Sequence, residues 1–145
     1  MAVEIELAAA ASDEVVEAFA RLVPQLSRSS PPPDREALAR MIDAEACDVF
    51  VARVEGRIVG SLTLVVFEIP TGVRAWIEDV VVDEAARGHG VGEALNRAAL
   101  ERARARGAKT VDLTSRPSRE AANRLYRRLG FVARDTNVYR YELEA

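Results

Sequence analysis

Val3, Ile5 and Leu7 alternate with Glu4 and Glu6 over residues 2–7, which is the two-residue period of a half-buried strand ending near Ala8. The period then changes. Ser12 stands before Asp13 and Glu14 as an N-cap, and Val15, Val16, Phe19, Leu22 and Val23 recur at helical spacing, predicting a helix that stops near Pro24. The three prolines of SRSSPPPD, residues 27–34, forbid regular structure, and Asp34 caps a second predicted helix reaching about Ala44. From Asp48 to Phe67 two apolar alternations flank the Glu55-Gly56 turn and predict an antiparallel hairpin. Residues 69–73 (IPTGV) form another turn before AWIEDVVV, residues 75–82, an apolar run of the kind found in a central strand covered on both faces.

The second half reads the same way. A helix is predicted from about Gly90 to Arg106, with Val91, Ala94, Leu95, Ala98, Ala99 and Ala103 on one face and Gly107 as its C-terminal stop. Residues 109–114 (KTVDLT) make a short strand. Ser118 caps a fourth helix on which Ala122, Leu125 and Leu129 share a face, and Gly130 ends it with Phe131 folding back on its last turn. Strands near 131–134 and 138–143 complete the pattern. Six or seven strands with four interspersed helices predict a mixed α/β sheet covered on both faces, and 145 residues suit one domain spanning 1–145.

Composition narrows the function classes. At 145 residues folding buries enough of the chain's surface that its core needs no metal or disulfide staple, and hydrophobic residues at 49% fit that. The net charge of −3 argues against a surface given over to nucleic acid, yet residues 87–128 carry eleven basic groups against four acidic ones, so one segment attracts anions while the remainder is acidic. The bland reading of that segment is a solvated face in a chain with 19 Arg and one Lys. The lone cysteine, Cys47, forms no internal disulfide and is read as buried packing. With no basic region and long apolar stretch at the N-terminus, a cytoplasmic protein without a membrane span is expected. His89 is the single histidine, so no metal site is predicted.

The strongest chemical signal lies in VVVDEAARGHGVGEAL, residues 80–95. Gly88, Gly90 and Gly92 let a backbone approach a ligand closely, and the following helix start offers unpaired N–H groups and a positive dipole end suited to a phosphate or pyrophosphate. Arg87 adds a forked cation. The alternative is a glycine-rich turn that merely closes a strand onto a helix. Two familiar phosphate loops fail, because Glu93 stands where a dinucleotide fingerprint needs glycine and no Lys-Ser/Thr follows for a P-loop.

RGHGVG does fit the (Q/R)xxGx(G/A) signature of the GNAT acyltransferase superfamily, with Arg87, Gly90 and Gly92 at the specified places. Downstream, AANRLYRRLGF (121–131) resembles that family's NxxxxxYxxxGF-type helix, and the order of elements resembles the family over nearly the whole chain. The resemblance implies a splayed sheet and acetyl-CoA as cofactor. It places the backbone of Val80, Val81 and Val82 along the pantetheine arm, and Arg87, Gly88, His89, Gly90, Val91 and Gly92 around the pyrophosphate. Asn123 would hydrogen-bond the cofactor and Tyr126 would sit by the sulfur, and their spacing of three puts both on one side of a helix. Without the family, Tyr126 reads equally well as a packed aromatic with a wet hydroxyl.

The reaction implied is direct acetyl transfer to a primary amine of a small molecule, with Tyr126 as proton donor to the sulfur. An alkyl amine with a pKa of about 10.4 is mostly protonated at neutral pH and needs a base. Glu78 is the candidate, assigned by strand alternation to the side of Val80 and Val82; an exposed strand carboxylate is the alternative. An amide of Val81 or Val82 would serve as oxyanion donor. Trp76 is packing or a wall of the acceptor cleft, whose other walls would be residues 26–34, 68–74 and 135–139. Acidic groups outside the cofactor segment favour a cationic amine only weakly, since exposed charges are screened beyond about 8 Å. A protein or peptide N-acetyltransferase and a non-catalytic acyl-CoA-binding module are the competing classes. A homodimer is compatible with the resemblance, and no nucleic-acid or membrane partner is expected.

Overall fold

The structure is a computed structural model, and residues 2–144 are described. Residues 1–114 and 115–145 form two compact units. The first holds a five-stranded sheet in sequential order, β1 (Val3–Leu7), β2 (Cys47–Val54), β3 (Arg57–Ile69), β4 (Gly72–Val82) and β5 (Val111–Asp112). Neighbours are antiparallel up to β4, and β5 runs parallel to it. Helices α1 (Asp13–Leu26), α2 (Arg35–Asp43) and α3 (Val91–Ala105) complete this unit, with a single 3-10 turn at Glu84–Ala86. The second unit contains α4 (Glu120–Leu129).

Local chemistry accounts for the boundaries. Ser12 accepts the Val15 N–H and Asp34 accepts the Ala37 N–H, so both predicted caps form. Helix α1 runs two residues beyond Pro24, because a proline near the last turn removes one hydrogen bond while Ser27 N–H still reaches the Val23 carbonyl. Gly107, at φ +85°, follows the last turn of α3, and the Ala108 N–H returns to the Ala103 carbonyl. Arg119 rather than Ser118 precedes α4, and no side chain caps that helix.

Two expectations about strands are revised. The KTVDLT strand is reduced to Val111–Asp112, and residues 131–134 and 138–143 form no strand, so five strands stand where six or seven were expected. Tyr139, Tyr141 and Leu143 keep the alternation of a strand but are exposed. Among the described residues no helix is long and apolar enough to cross a membrane.

The sheet buries both faces. On one, Val15, Ala18 and Leu22 of α1 and Leu38 of α2 pack with Val51, Ile58 and Val81. On the other, α3 buries Val91, Leu95, Ala99 and Ala103 as its spacing predicts, and fully buried Asn96 joins them. Asn96 turns its amide N–H back to the Gly92 carbonyl at 2.8 Å. The basic face of α3 is partly committed: Arg102 and Arg106 both donate to Asp48 of β2, at 2.9 and 3.1 Å. Cys47 is half-buried rather than buried.

Candidate active site

Strand β4 is the backbone of the site. It pairs with β5 only at Ala75–Val111 and Trp76–Asp112, so from Ile77 onward its outer edge has no β5 partner. This is the splay the sequence resemblance implied. Which main-chain groups face the gap follows from the pairing with β3. The Asp83 N–H donates to the Val59 carbonyl at 2.7 Å, and Val81 stands opposite Ser61. Antiparallel strands alternate hydrogen-bonded and non-bonded pairs, so Val81 directs its N–H and C=O toward β3 while Val82 directs its own toward the open edge. Val80 shares the orientation of Val82 by the same alternation, and the polar backbone of Val81 is turned away from the gap.

A bulge changes the side-chain parity. Val81 pairs with Ser61 but Glu78 pairs with Thr63, so three steps along β4 match two along β3. Asp79 absorbs the extra residue at φ +50°, a conformation that aspartate tolerates better than most residues. Glu78 consequently shares the face of Trp76 and Val81, on which α1 and α2 pack, and not the face of Val82. The assignment of Glu78 to the side of Val80 and Val82 is thereby corrected: unbroken alternation does not survive an inserted residue. Glu78 is exposed and Trp76 half-buried.

Beyond Val82 the chain turns through Glu84–Ala86 into Arg87, Gly88, His89 and Gly90, all exposed. Gly88 and Gly90 adopt φ +86° and +79°, and a Cβ at either would meet no heavy atom within 4 Å. These glycines are therefore required by backbone conformation and leave open space above the loop. Gly90 is the N-cap of α3 and no side chain caps that helix, so the N–H groups of Val91 and Gly92 lack an intrahelical partner. Val91 as a whole residue is only 1% exposed and offers a ligand no side chain, while Gly92 beside it is half-buried. An uncapped helix start beneath an open glycine loop fits a pyrophosphate.

The residues fixing that loop were missed by sequence reasoning. Asp83 accepts the Ala85 N–H at 3.1 Å and the Arg21 guanidinium at 2.7 Å. These bonds, the backbone one foremost, hold its carboxyl below the ordinary carboxylate range against the opposing effect of burial. No local spacing could have found Arg21, which is 62 positions from Asp83.

In the second unit, α4 ends at Gly130 with φ +105°, and the Phe131 N–H returns to the Tyr126 carbonyl at 2.9 Å. The Tyr126 and Phe131 rings meet edge to face, 5.7 Å apart at 70°. Tyr126 is buried, and that burial raises its phenol above the ordinary value while the nearby Arg119 cation pulls it back in part. The side chain is thus a protonated donor at neutral pH. Asn123, half-buried one turn earlier, donates to the Arg116 carbonyl at 3.0 Å. It helps line an open recess of about 420 Å³ with Pro117, Glu120, Arg124 and Arg127.

A glycine loop thus lies over an uncapped helix start, beside a splayed parallel strand pair. Residues 13–131 match the Acetyltransferase (GNAT) family, and the chain belongs to that family. It is an enzyme of acetyl transfer to nitrogen, and the family generally takes its acetyl group from acetyl-CoA. The chain is 32% identical over 137 residues to glucosamine 6-phosphate N-acetyltransferase 1 of Oryza sativa subsp. japonica, covering 88% of this chain and 81% of that one. Among solved structures, a Trypanosoma brucei acetyltransferase superposes with a TM-score of 0.79 at 30% identity, covering 98% of this chain and all of that one. An aminoglycoside acetyltransferase from an uncultured soil metagenomic sample, in complex with sisomicin, superposes with a TM-score of 0.84 at 26% identity, covering 99% and 97%.

Proposed function

We propose that this protein transfers the acetyl group of acetyl-CoA directly to a primary amine of a small molecule. The observation that carries the proposal is the uncapped start of α3 beneath Gly88 and Gly90, contiguous with the unpaired edge of β4. The small-molecule acceptor is supported by the relatives, named for glucosamine 6-phosphate and aminoglycosides. The family match runs across both compact units, which supports reading residues 1–145 as one catalytic domain.

Acetyl-CoA supplies an activated thioester. In this reading Arg87 and the main chain of Gly88 to Gly92 hold its pyrophosphate, and the outward polar groups of Val80 and Val82 bond its pantetheine arm. The Val82 N–H, free of β3, is the oxyanion donor in preference to Val81, whose N–H is directed at β3. Glu78 accepts the ammonium proton of the acceptor, directly or through water, from the face it shares with Trp76. Tyr126, whose phenol burial raises further above its ordinary value, would donate to the departing sulfur, and Asn123 would hold the cofactor one turn away.

The test is release of free thiol from acetyl-CoA across a panel of aminosugars, aminosugar phosphates, aminoglycosides, polyamines and N-terminal peptides. Release that depends on a small amine is expected. Release with peptides alone moves the acceptor to protein, and release with none refutes transfer to these amines.

A further inference from the structure

The turn that launches the glycine loop is not held by its own strand. Asp83 follows β4 as the N-cap of the 3-10 turn, and four residues later Arg87 begins the loop. Within the turn the backbone provides only short-range bonds, Ala86 N–H to the Asp83 carbonyl at 2.8 Å and Arg87 N–H to the Glu84 carbonyl at 3.4 Å. The Asp83 N–H is tied to the Val59 carbonyl of β3 at 2.7 Å, and the long-range side-chain restraints come from α1. Arg21 spans two strands with one guanidinium, Nη1 on the Asp83 carboxylate at 2.7 Å and Nη2 on the Ile58 carbonyl at 3.0 Å. One turn on, Gln25 donates to the Arg21 carbonyl at 3.3 Å and accepts the Glu84 N–H at 2.8 Å. The fork geometry of Arg21 suits this two-point contact, which a lysine could not reproduce.

We propose that Arg21, with Gln25, is a positioning residue: α1 sets the direction in which residues 87–92 leave β4, and so the alignment of the α3 start with the Val82 N–H. The inference rests on the proposed seating of the CoA pyrophosphate at this loop. A ligand gripped by both groups is held less tightly when their separation changes. Arg21 itself touches no reacting atom in this account. It acts through Asp83 and the 3-10 turn, whose Ala86 is buried as the inner anchor.

Calorimetric titration of CoA into wild type, Arg21→Gln, Arg21→Lys, Gln25→Leu and Asp83→Asn, well below each melting temperature, tests the idea. Wild type binds saturably. Arg21→Gln and Asp83→Asn each weaken binding about ten-fold, their double variant is no weaker than either alone, and Arg21→Lys recovers only part of the loss. In steady state the KM for acetyl-CoA rises without a matching fall in kcat. Gln25 is exposed, so Gln25→Leu gives a folded variant with a smaller loss in the same direction even where an Arg21 variant does not fold. Variants that melt earlier yet bind CoA within two-fold of wild type overturn the positioning role and leave the site reading intact. Failure of wild type to bind overturns both.

Discussion

The Cβ that Gly60 lacks would stand 3.1 Å from the carbonyl oxygen of Val81 and from Cγ1 of Val91, and 3.2 Å from Cδ1 of Leu95. Gly60 on β3 thus packs against both β4 and α3. Gly60→Ala gains roughly 0.5–1 kcal/mol of backbone entropy but must push a main-chain atom and two core side chains apart. A net loss of about 1 kcal/mol is expected from overpacking. Urea unfolding checks this, and an unchanged midpoint refutes the close packing.

Asp79 carries the bulge that faces Glu78 toward α1 and α2. A β-branched residue in this left-handed conformation costs about 1–2 kcal/mol, whereas glycine adopts it freely. Asp79→Val should therefore lower stability by about 1–2 kcal/mol and Asp79→Gly by no more than about 0.5 kcal/mol. The reverse order in denaturant unfolding contradicts the bulge.

Tyr126 owes its raised phenol to burial. Tyr126→Phe retains the ring that meets Phe131 and removes only the donor, so kcat is expected to fall by about ten-fold or more with CoA affinity unchanged. Steady-state kinetics with calorimetry separates the two. Equal turnover removes Tyr126 from the chemistry.

The lowered pKa of Asp83 fixes the sign of a pH dependence. Its carboxylate contributes stability above its ordinary value of 3.8, and that contribution is lost as pH falls through the lower folded value. Asp83→Asn keeps an acceptor for the Ala85 N–H but loses the charge opposite Arg21. The stability gap between wild type and Asp83→Asn is expected to be constant near neutrality and to narrow below about pH 3.8. Urea midpoints at pH 7 and pH 3 measure it, and a gap that widens in acid has the wrong sign.

What the sequence revealed depended on range. Ser12, Asp34, Gly107 and Gly130 announce helix ends because their chemistry acts within one turn, and the β2–β3 hairpin is written in alternation around Glu55-Gly56. The glycine loop was legible for the same reason. The parity of Glu78 was not, since the register with β3 and not the β4 sequence reveals the residue inserted at Asp79. Arg21 received no reading of its own, because its partner Asp83 lies 62 positions away and no local spacing links them. Asn96 was passed over inside an otherwise apolar helix face whose spacing it shares. Residues 138–143 have a strand's alternation without its pairing, which pattern alone cannot supply.

The central claim is that the main chain at the start of α3 grips the diphosphate of CoA, and calorimetric titration of CoA into wild type and Gly90→Val measures it most directly. Gly90 sits at φ +79° and a Cβ there meets no heavy atom within 4 Å, so the first effect of valine is strain in the loop backbone. The account predicts saturable binding of one CoA per chain by wild type and a loss of about 5- to 30-fold in Gly90→Val, from strain of about 1–2 kcal/mol in the gripping backbone. Absence of saturable heat from folded wild type, or equal affinity in the two proteins, would contradict it.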